Sequence, residues 1–502
     1  MRELDIQALP ENLPEVLTFV KENLDELECT EKERNQIEVA VEEIFSNIAG
    51  YAYDPKIGTA TIRVELNDNP LSVSMSFIDQ GKQYDPLAKP DPNVKLSASE
   101  RKRGGLGIFM TKKFMDEVDY EYKDGRNILT LRKVVLRQPE VDMTKALVIF
   151  FLATIHAFVE CSTDDALWHG LPYFFDSILG GPWAAPMFIF SMGIGLAFTT
   201  RNKAKDLFIR SINIFIVGLF LNVLRFLIPS LVGYAATHDA EFYLERLPYL
   251  FFGNDLLQFA ALAMLLMSFM KLLKLTPWKI FFVALGINII AMFFNDLWLD
   301  NMPLNVILGH FVGVNDPAGE EIVMSDFPLF IWFLMYASGL AFGDHIKHIT
   351  TAQKETFYKW FSIPCFILST SVYIFEYYNQ FGMMGGPGAN VFYHLTTPEM
   401  FLCICTEFAM LGACYYICKF LPAKVMGVIE TISRAITSVY FAQWVLVWWT
   451  VNVFIYVIRG DKYLDSIPTL ILGLILSVAS VLIGVFFQKQ LKKRKRGRNS
   501  VI

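Results

Sequence analysis

The stretch EKERNQIEVAVEEIFSNIAGYAY, residues 31–53, decides the fold of the N-terminal part of this chain. Ile37, Val41, Ile44 and Ile48 recur at helical spacing and form one apolar stripe. Beside the stripe stand Glu43 and Asn47, four residues apart and so on one face of the same helix. An amide oxygen can hold a divalent cation while the carboxylate polarises a water or a hydroxyl. Taken alone, the pair reads better as a solvated helix edge.

Two segments further along change that balance. In LSVSMSFIDQGKQYDP, from residue 71, Leu71, Val73, Met75 and Phe77 alternate with Ser72, Ser74 and Ser76. This is the period of a strand with one buried face. The strand runs into Asp79 and Gly81, a carboxylate followed by a residue that permits a tight turn and close approach of a ligand. Then comes RKRGGLGIFMTKKFMDEV, where Gly104, Gly105 and Gly107 precede a helix and follow Arg101, Lys102 and Arg103. Free backbone N–H groups at a helix start, with cations beside them, make a phosphate cradle. A glycine cluster by itself is a weak signal.

Together and in this order the three segments resemble the GHKL ATPases, and most closely the anti-sigma-factor serine kinase branch. The resemblance covers nearly all of residues 1–135, with Glu43 and Asn47 as the N-box, Asp79 and Gly81 as the first glycine box, and Gly104, Gly105, Leu106 and Gly107 as the second. It implies a Bergerat α/β sandwich, an α+β domain with a mixed sheet and helices on one face. It also implies Mg-ATP as cofactor, with Asp79 reading the adenine amino group, Asn47 on magnesium, Glu43 as catalytic base, and Arg103 to Gly107 by the phosphates. The strand NILTLRK would place Thr130 near the base. An anti-anti-sigma-type protein is the partner such a kinase would phosphorylate. Tyr51 stands where many relatives carry a histidine, and the lid, about residues 85–103, is short. No phosphoacceptor-histidine helix precedes the N-box, which argues against a histidine kinase.

The character of the chain changes near residue 138. Of 502 residues 54% are hydrophobic and 19% charged, against about 25% charged in soluble domains. A mean hydropathy of +0.38 excludes a purely soluble enzyme or a disordered chain. A net charge of −6 argues against a nucleic-acid partner. The seven cysteines, four of them in one apolar segment, do not form a secreted disulfide framework. Residues 1–138 read as a soluble domain, and MRELDIQALPENLPEVLTFV lacks the apolar core of a signal peptide, so this domain is expected in the cytoplasm.

Residues 143–490 read as an all-α polytopic domain of about ten transmembrane helices. The segments lie near 143–161, 183–199, 208–232, 255–273, 278–298, 327–343, 357–377, 398–420, 430–457 and 467–488. Loops on the cytoplasmic side of this count carry Arg201, Lys203, Lys205, Lys271, Lys274, Lys279, Lys347, Lys354, Lys359, Lys419 and Lys424. The opposite loops carry Arg246, Arg459 and Lys462. The positive-inside rule then puts both termini in the cytoplasm, with the tail KKRKRGR, residues 492–498, against the lipid headgroups of the inner membrane.

In the first span Lys145 and His156 are eleven residues apart and share a face. Lys145 at a span end reads most simply as a snorkelling residue; His156, within the span, is a functional candidate. Gly180, Gly181, Ala184, Ala185, Gly193 and Gly195 near span 2, and Ala337-Ser338-Gly339 in FPLFIWFLMYASGLAFGDHI, allow close helix approach. The outer-loop histidines, His169, His238, His310 and His394, fit no metal-ligand spacing. This domain resembles the transmembrane acyltransferase group, heparan-glucosaminide N-acetyltransferase-like proteins included, although Lys145 stands where those families often carry an arginine. The resemblance implies an acyl-CoA donor, His156 as catalytic base or transient acyl carrier, and a glycan or other small acceptor with a hydroxyl or amine.

Two readings of the whole stay open. In one, a membrane-anchored kinase-type ATPase domain is coupled to the bundle. In the other, the acyltransferase is the main enzyme and the ATPase-like domain only senses ATP. About nine residues, Val134 to Asp142, join the last strand to the first span, too few for a long flexible linker.

Overall fold

The computed structural model describes residues 2–24, 31–68, 71–88, 106–134, 138–163, 166–199, 203–294, 297–316, 325–379 and 393–499. The chain divides into two compact units. The first is Met1–Arg137 with Lys347–Lys354; the second is Gln138–Ile346 with Glu355–Ile502.

The first unit is an α+β sandwich. Its strands are β1 (Arg2–Gln7), β2 (Thr59–Asp68), β3 (Leu71–Asp79), β4 (Glu117–Lys123) and β5 (Arg126–Val134), in spatial order β1-β2-β3-β5-β4. Every ladder is antiparallel. The expectation of a mixed sheet is thereby corrected. Asp124 and Gly125, both at positive φ, close a tight hairpin between β4 and β5, and β5 then returns alongside β3. The helices are α1 (Leu13–Leu24), α2 (Glu31–Asn47) and α3 (Leu106–Phe114). The stripe Ile37, Val41, Ile44 and Ile48 is buried against Ile62 and Val64 of β2 and Val73, Met75 and Phe77 of β3, as the two periodicities require.

The second unit is all helical. We number α4 (Pro139–Cys161), α5 (Gly170–Phe198), α6 (Ala204–Thr237), α7 (Leu256–Leu272), α8 (Pro277–Phe294), α9 (Leu329–Lys347), α10 (Ile363–Asn379), α11 (Thr397–Cys418), α12 (Ile436–Arg459) and α13 (Ser466–Asn499). All ten apolar segments are thus helical. Among the described residues eight of them are long and apolar enough to cross a membrane, while α7 and α10, of 17 residues each, are shorter. The first span begins at Pro139, four residues ahead of the apolar run. Its opening turn keeps Glu140 buried by accepting a hydrogen bond from the Tyr358 hydroxyl at 3.0 Å. Several helices carry widened π-type turns, at Phe174–Ala184, Val223–Leu227, Tyr358–Ser362 and Trp449–Ile455.

Small residues set the closest helix contacts. A Cβ on Gly193 of α5 would strike the Tyr336 carbonyl of α9, and one on Gly339 would strike the Phe190 carbonyl in return. Gly195, by contrast, faces open space. Both collisions are with backbone, which cannot swing aside. Gly339→Val is expected to part α5 from α9 and cost about 1–3 kcal/mol, as overpacking does. Gly195→Val is expected to cost little. Thermal unfolding of the full-length protein in detergent distinguishes the two.

Candidate functional site

Three motifs of the first unit converge on one turn of α2. Asn47 ends that helix, and its side-chain N–H donates to Glu43 Oε1 at 2.9 Å. The amide nitrogen is therefore engaged and the amide oxygen is the atom left for a cation. Gly107, in the first turn of α3, lies so close that a Cβ would overlap the Glu43 carboxylate. The second glycine box thus presses on the proposed base, and only glycine fits there. Arg103, Gly104 and Gly105 lie outside the described residues. Leu106 opens α3.

The first glycine box docks on the chain just past α2. Lys82 N–H donates to the Ala52 carbonyl at 2.9 Å, and a Cβ on Gly81 would collide with that same carbonyl. Tyr53 locks the junction: its hydroxyl donates to Thr59 O at 2.6 Å and accepts from Gln80 N–H at 2.7 Å. Burial pushes the Tyr53 and Tyr120 hydroxyls above the usual phenol range, so both remain neutral donors. Tyr51, where relatives often carry a histidine, is exposed.

Asp79 is 6% exposed, and its carboxylate is held on one side only. Gly81 N–H and Asn127 Nδ2 both donate to Oδ1, each at 2.9 Å. Oδ2 is left to accept from a ligand amino group. Asn127 is itself fully occupied. It donates also to Lys82 O at 3.1 Å and accepts from Tyr120 OH at 2.7 Å and Tyr84 N–H at 3.3 Å. Sequence reasoning passed over Asn127, which stands directly across from Asp79 in the β3–β5 register.

Thr130 is a different matter. It pairs with Ser76, and the two hydroxyls lie 3.0 Å apart. Three residues from Asn127 on a strand is the opposite face, so Thr130 points away from Asp79 and from the helices. The expectation that it contacts the nucleotide is corrected on that ground.

The residues fit a nucleotide. The glycine seat over Glu43, one carboxylate oxygen of Asp79 and the amide oxygen of Asn47 are the groups that could hold it. Among the described residues no cluster of three or more His, Cys, Asp or Glu could hold a metal by itself. A hard cation here would take most of its oxygens from phosphates and water.

The second unit has its own buried polar cluster. His156 lies against Trp444 of α12, ring centroids 3.7 Å apart and planes tilted by 38°. The Arg225 guanidinium lies 3.4 Å from the Trp444 ring centroid and forms a 2.5 Å ion pair with Asp255. Tyr440, one turn before Trp444, donates to the same carboxylate at 3.2 Å. Arg225 and Asp255 are 3% and 5% exposed. Arg225 sits on the π-type turn of α6, which re-aims it inward. Asp326, just before α9, is pushed up to about 8 by burial and then by the Asp255 carboxylate, with Arg225 pulling it down. Lys145 is half-buried three residues from Asp142 and outside this cluster.

Sequence reasoning named His156 and missed Arg225, Asp255, Tyr440 and Glu407. Glu407 of α11 is fully buried, and neither carboxylate oxygen has a hydrogen-bond partner among the described residues. Charge inside an apolar run was the signal that marks such residues.

The Asp79–Asn127 geometry generates one prediction. Asn127→Ala leaves Oδ1 short of a donor and frees the carboxylate to rotate. ATP affinity of the full-length protein is expected to fall about tenfold, the worth of a charge-assisted hydrogen bond. Thr130→Val is expected to leave affinity within twofold, about 0.4 kcal/mol. Isothermal titration with ATP reads both.

Comparison with known proteins agrees with the two-part organisation. A histidine kinase-like ATPase domain model matches residues 6–133, and an acyltransferase domain model matches residues 138–488, more than half of the chain. The anti-sigma F factor of Caldanaerobacter subterraneus subsp. tengcongensis is 31% identical over 129 residues, 26% of this chain and 89% of that protein. The serine/threonine-protein kinase BtrW of Bordetella bronchiseptica is 31% identical over 98 residues, 20% of this chain and 68% of that protein. The serine-protein kinase RsbW of Halalkalibacterium halodurans is 27% identical over 144 residues, 28% of this chain and 86% of that protein. With its ATP-using fold in the first unit and its helices in the second, the chain belongs to the acyltransferase domain family and carries a histidine kinase-like ATPase domain, of the kind found in anti-sigma kinases, fused ahead of it.

Proposed function

We propose that the first unit is an ATP-dependent serine/threonine protein kinase of the anti-sigma type, acting on a small anti-anti-sigma-type protein. The observation that carries this reading is the Glu43–Asn47 bond beneath Gly107. ATP would be held by the Asp79 Oδ2 at the adenine, the Asn47 amide oxygen at magnesium, and the backbone N–H groups around Gly107 at the phosphates. It would supply the phosphoryl group. Glu43, fixed by Asn47 on one oxygen, keeps the other free to draw the proton from an incoming serine or threonine hydroxyl.

The second unit, in this proposal, transfers an acyl group from acyl-CoA to a hydroxyl or amine on the far side of the inner membrane. His156 is its base. Trp444 backs the imidazole, and Arg225, paired with Asp255, holds a fixed positive charge beside it. Such a charge stabilises the oxyanion that forms when a thioester is attacked. The asymmetric loop lysines support an orientation with both termini cytoplasmic.

Two substitutions separate the activities. Glu43→Gln is expected to keep ATP affinity and to lose phosphate transfer by about 10²–10⁴, since only the base is removed. His156→Ala is expected to keep both ATP affinity and phosphate transfer, and to lose acetyl-CoA consumption in proteoliposomes by a similar factor, about 10²–10⁴. If wild-type protein binds ATP but labels no anti-anti-sigma-type protein, the first unit senses ATP and the membrane unit alone is the enzyme. If His156→Ala consumes acetyl-CoA at the normal rate, the acyltransferase assignment fails at its central residue.

A further inference from the structure

Away from His156 the second unit holds a cavity of about 700 Å³, bounded by α6, α7 and the short helix Met302–Leu308 with the turn that follows it. That volume lies within the range of about 300–1,000 Å³ usual for small-molecule sites. Its walls are apolar: Phe215, Leu219, Leu262, Val306 and Phe311 among them. Among the described residues neither lysine nor arginine lines it, nor does any carboxylate. The phosphates of a CoA donor therefore find no partner here.

Three polar side chains, Gln258, His310 and Tyr249, break the apolar wall. Gln258 is 3% exposed and lines the cavity, and among the described residues its amide is held by no other group. An unpaired amide in such surroundings is costly unless a ligand satisfies it. His310 donates from Nδ1 to the Val306 carbonyl at 2.9 Å, which leaves Nε2 as a bare acceptor. Burial pushes the His310 imidazole down, so it stays neutral. The rim carries Phe215, Phe252 and Ile307, apolar residues that remain 40%, 59% and 58% exposed in a unit whose outer surface faces hydrocarbon. An apolar rim of this kind suits an apolar ligand.

We propose that this cavity binds the hydrocarbon chain of a membrane lipid whose hydroxyl- or amide-bearing head is held by Gln258 and His310. The occupant follows from the walls: apolar length, no charge among the described lining residues, and a few hydrogen-bonding groups, on Gln258, His310 and Tyr249. The cavity shares a helix with the cluster around His156. Asp255 caps α7, and Gln258 follows it by one turn, about 4.5 Å along the axis. Asn254 ties the same segment to Gly309 O at 3.4 Å and Phe327 O at 2.6 Å. The inference deepens the acyltransferase reading by making a lipid the substrate class. It rests on that reading for the transfer and not for the binding.

The test uses full-length protein in phosphatidylglycerol nanodiscs with two photoreactive probes, a diazirine-bearing hexadecanol and the matching diazirine-bearing hexadecane. The alcohol is expected to label peptides around Leu219 and Val306 in excess of the equally lipid-facing Phe282 and Ile290 of α8. Leu262→Trp, which fills the cavity, is expected to abolish that excess. Gln258→Leu preserves shape and is expected to lower alcohol labelling about fivefold, the worth of one neutral hydrogen bond, while leaving hexadecane labelling unchanged. Equal labelling of cavity and α8, unaffected by either substitution, would mean ordinary annular lipid and would overturn the proposal. Acetyl-CoA cleavage is followed in the same nanodiscs. Intact labelling with no cleavage by wild type overturns the acyltransferase reading and leaves the lipid site standing.

Discussion

A charged group taken out of water costs several kcal/mol unless partners replace the lost hydration, and both units are built around that constraint. In the first unit Asp79 lies beneath the helices, and two N–H donors converge on a single one of its oxygens there. The rest of the site follows from this anchor. Asn127 can hold Asp79 only because Tyr120, Tyr84 and Lys82 hold Asn127 in turn. The second unit solves the same problem with an ion pair, Arg225 to Asp255, shared with Tyr440 and covered by the Trp444 ring. Removing either ion would strand the other in an apolar surrounding. Trp444, and with it the imidazole of His156, is thereby tied to three helices.

The segments that meet at the candidate site were legible because each depends on local chemistry: a helical four-residue spacing, a strand-ending carboxylate, and a glycine at the start of a helix. The apolar stripe of α2 and the alternation of β3 placed the core for the same reason. Thr130 was misread because its face depends on the pairing of β3 with β5. A shift of one residue in that register would have brought it to the nucleotide side. Asn127 was invisible for the complementary reason. It carries no motif, and its value lies wholly in standing opposite a residue 48 positions away.

The membrane unit shows the same division. Spans could be counted from hydropathy, and all ten segments are helices. What hydropathy averages away are the exceptions within the spans. Arg225 and Glu407 each sit in an apolar run, and the average absorbs one charge without trace. The partner of Arg225 lies thirty residues along the chain on another helix, a pairing that no local pattern encodes. The π-type turns are equally silent in the sequence. One of them carries Arg225, and the widened backbone there turns the guanidinium toward α12.

The first span does not pack chiefly on its neighbours in sequence. Thr154 and Ser477 lie 2.9 Å apart across 323 residues of chain, and a Cβ on Gly473 would come within 2.7 Å of the Thr154 backbone. His156 likewise meets Trp444 of α12. At about 5–20 residues per second, a ribosome needs roughly 15–65 s to make the intervening stretch. Through that interval α4 is already inserted while the helices that cover it do not yet exist. Its polar face, Thr154 and His156 included, must meanwhile be tolerated by lipid or by the insertion machinery. Assembly of the cluster around His156 is therefore a late event, closed only when α12 and α13 arrive, and a nascent chain released before then would contain His156 without Trp444 against it.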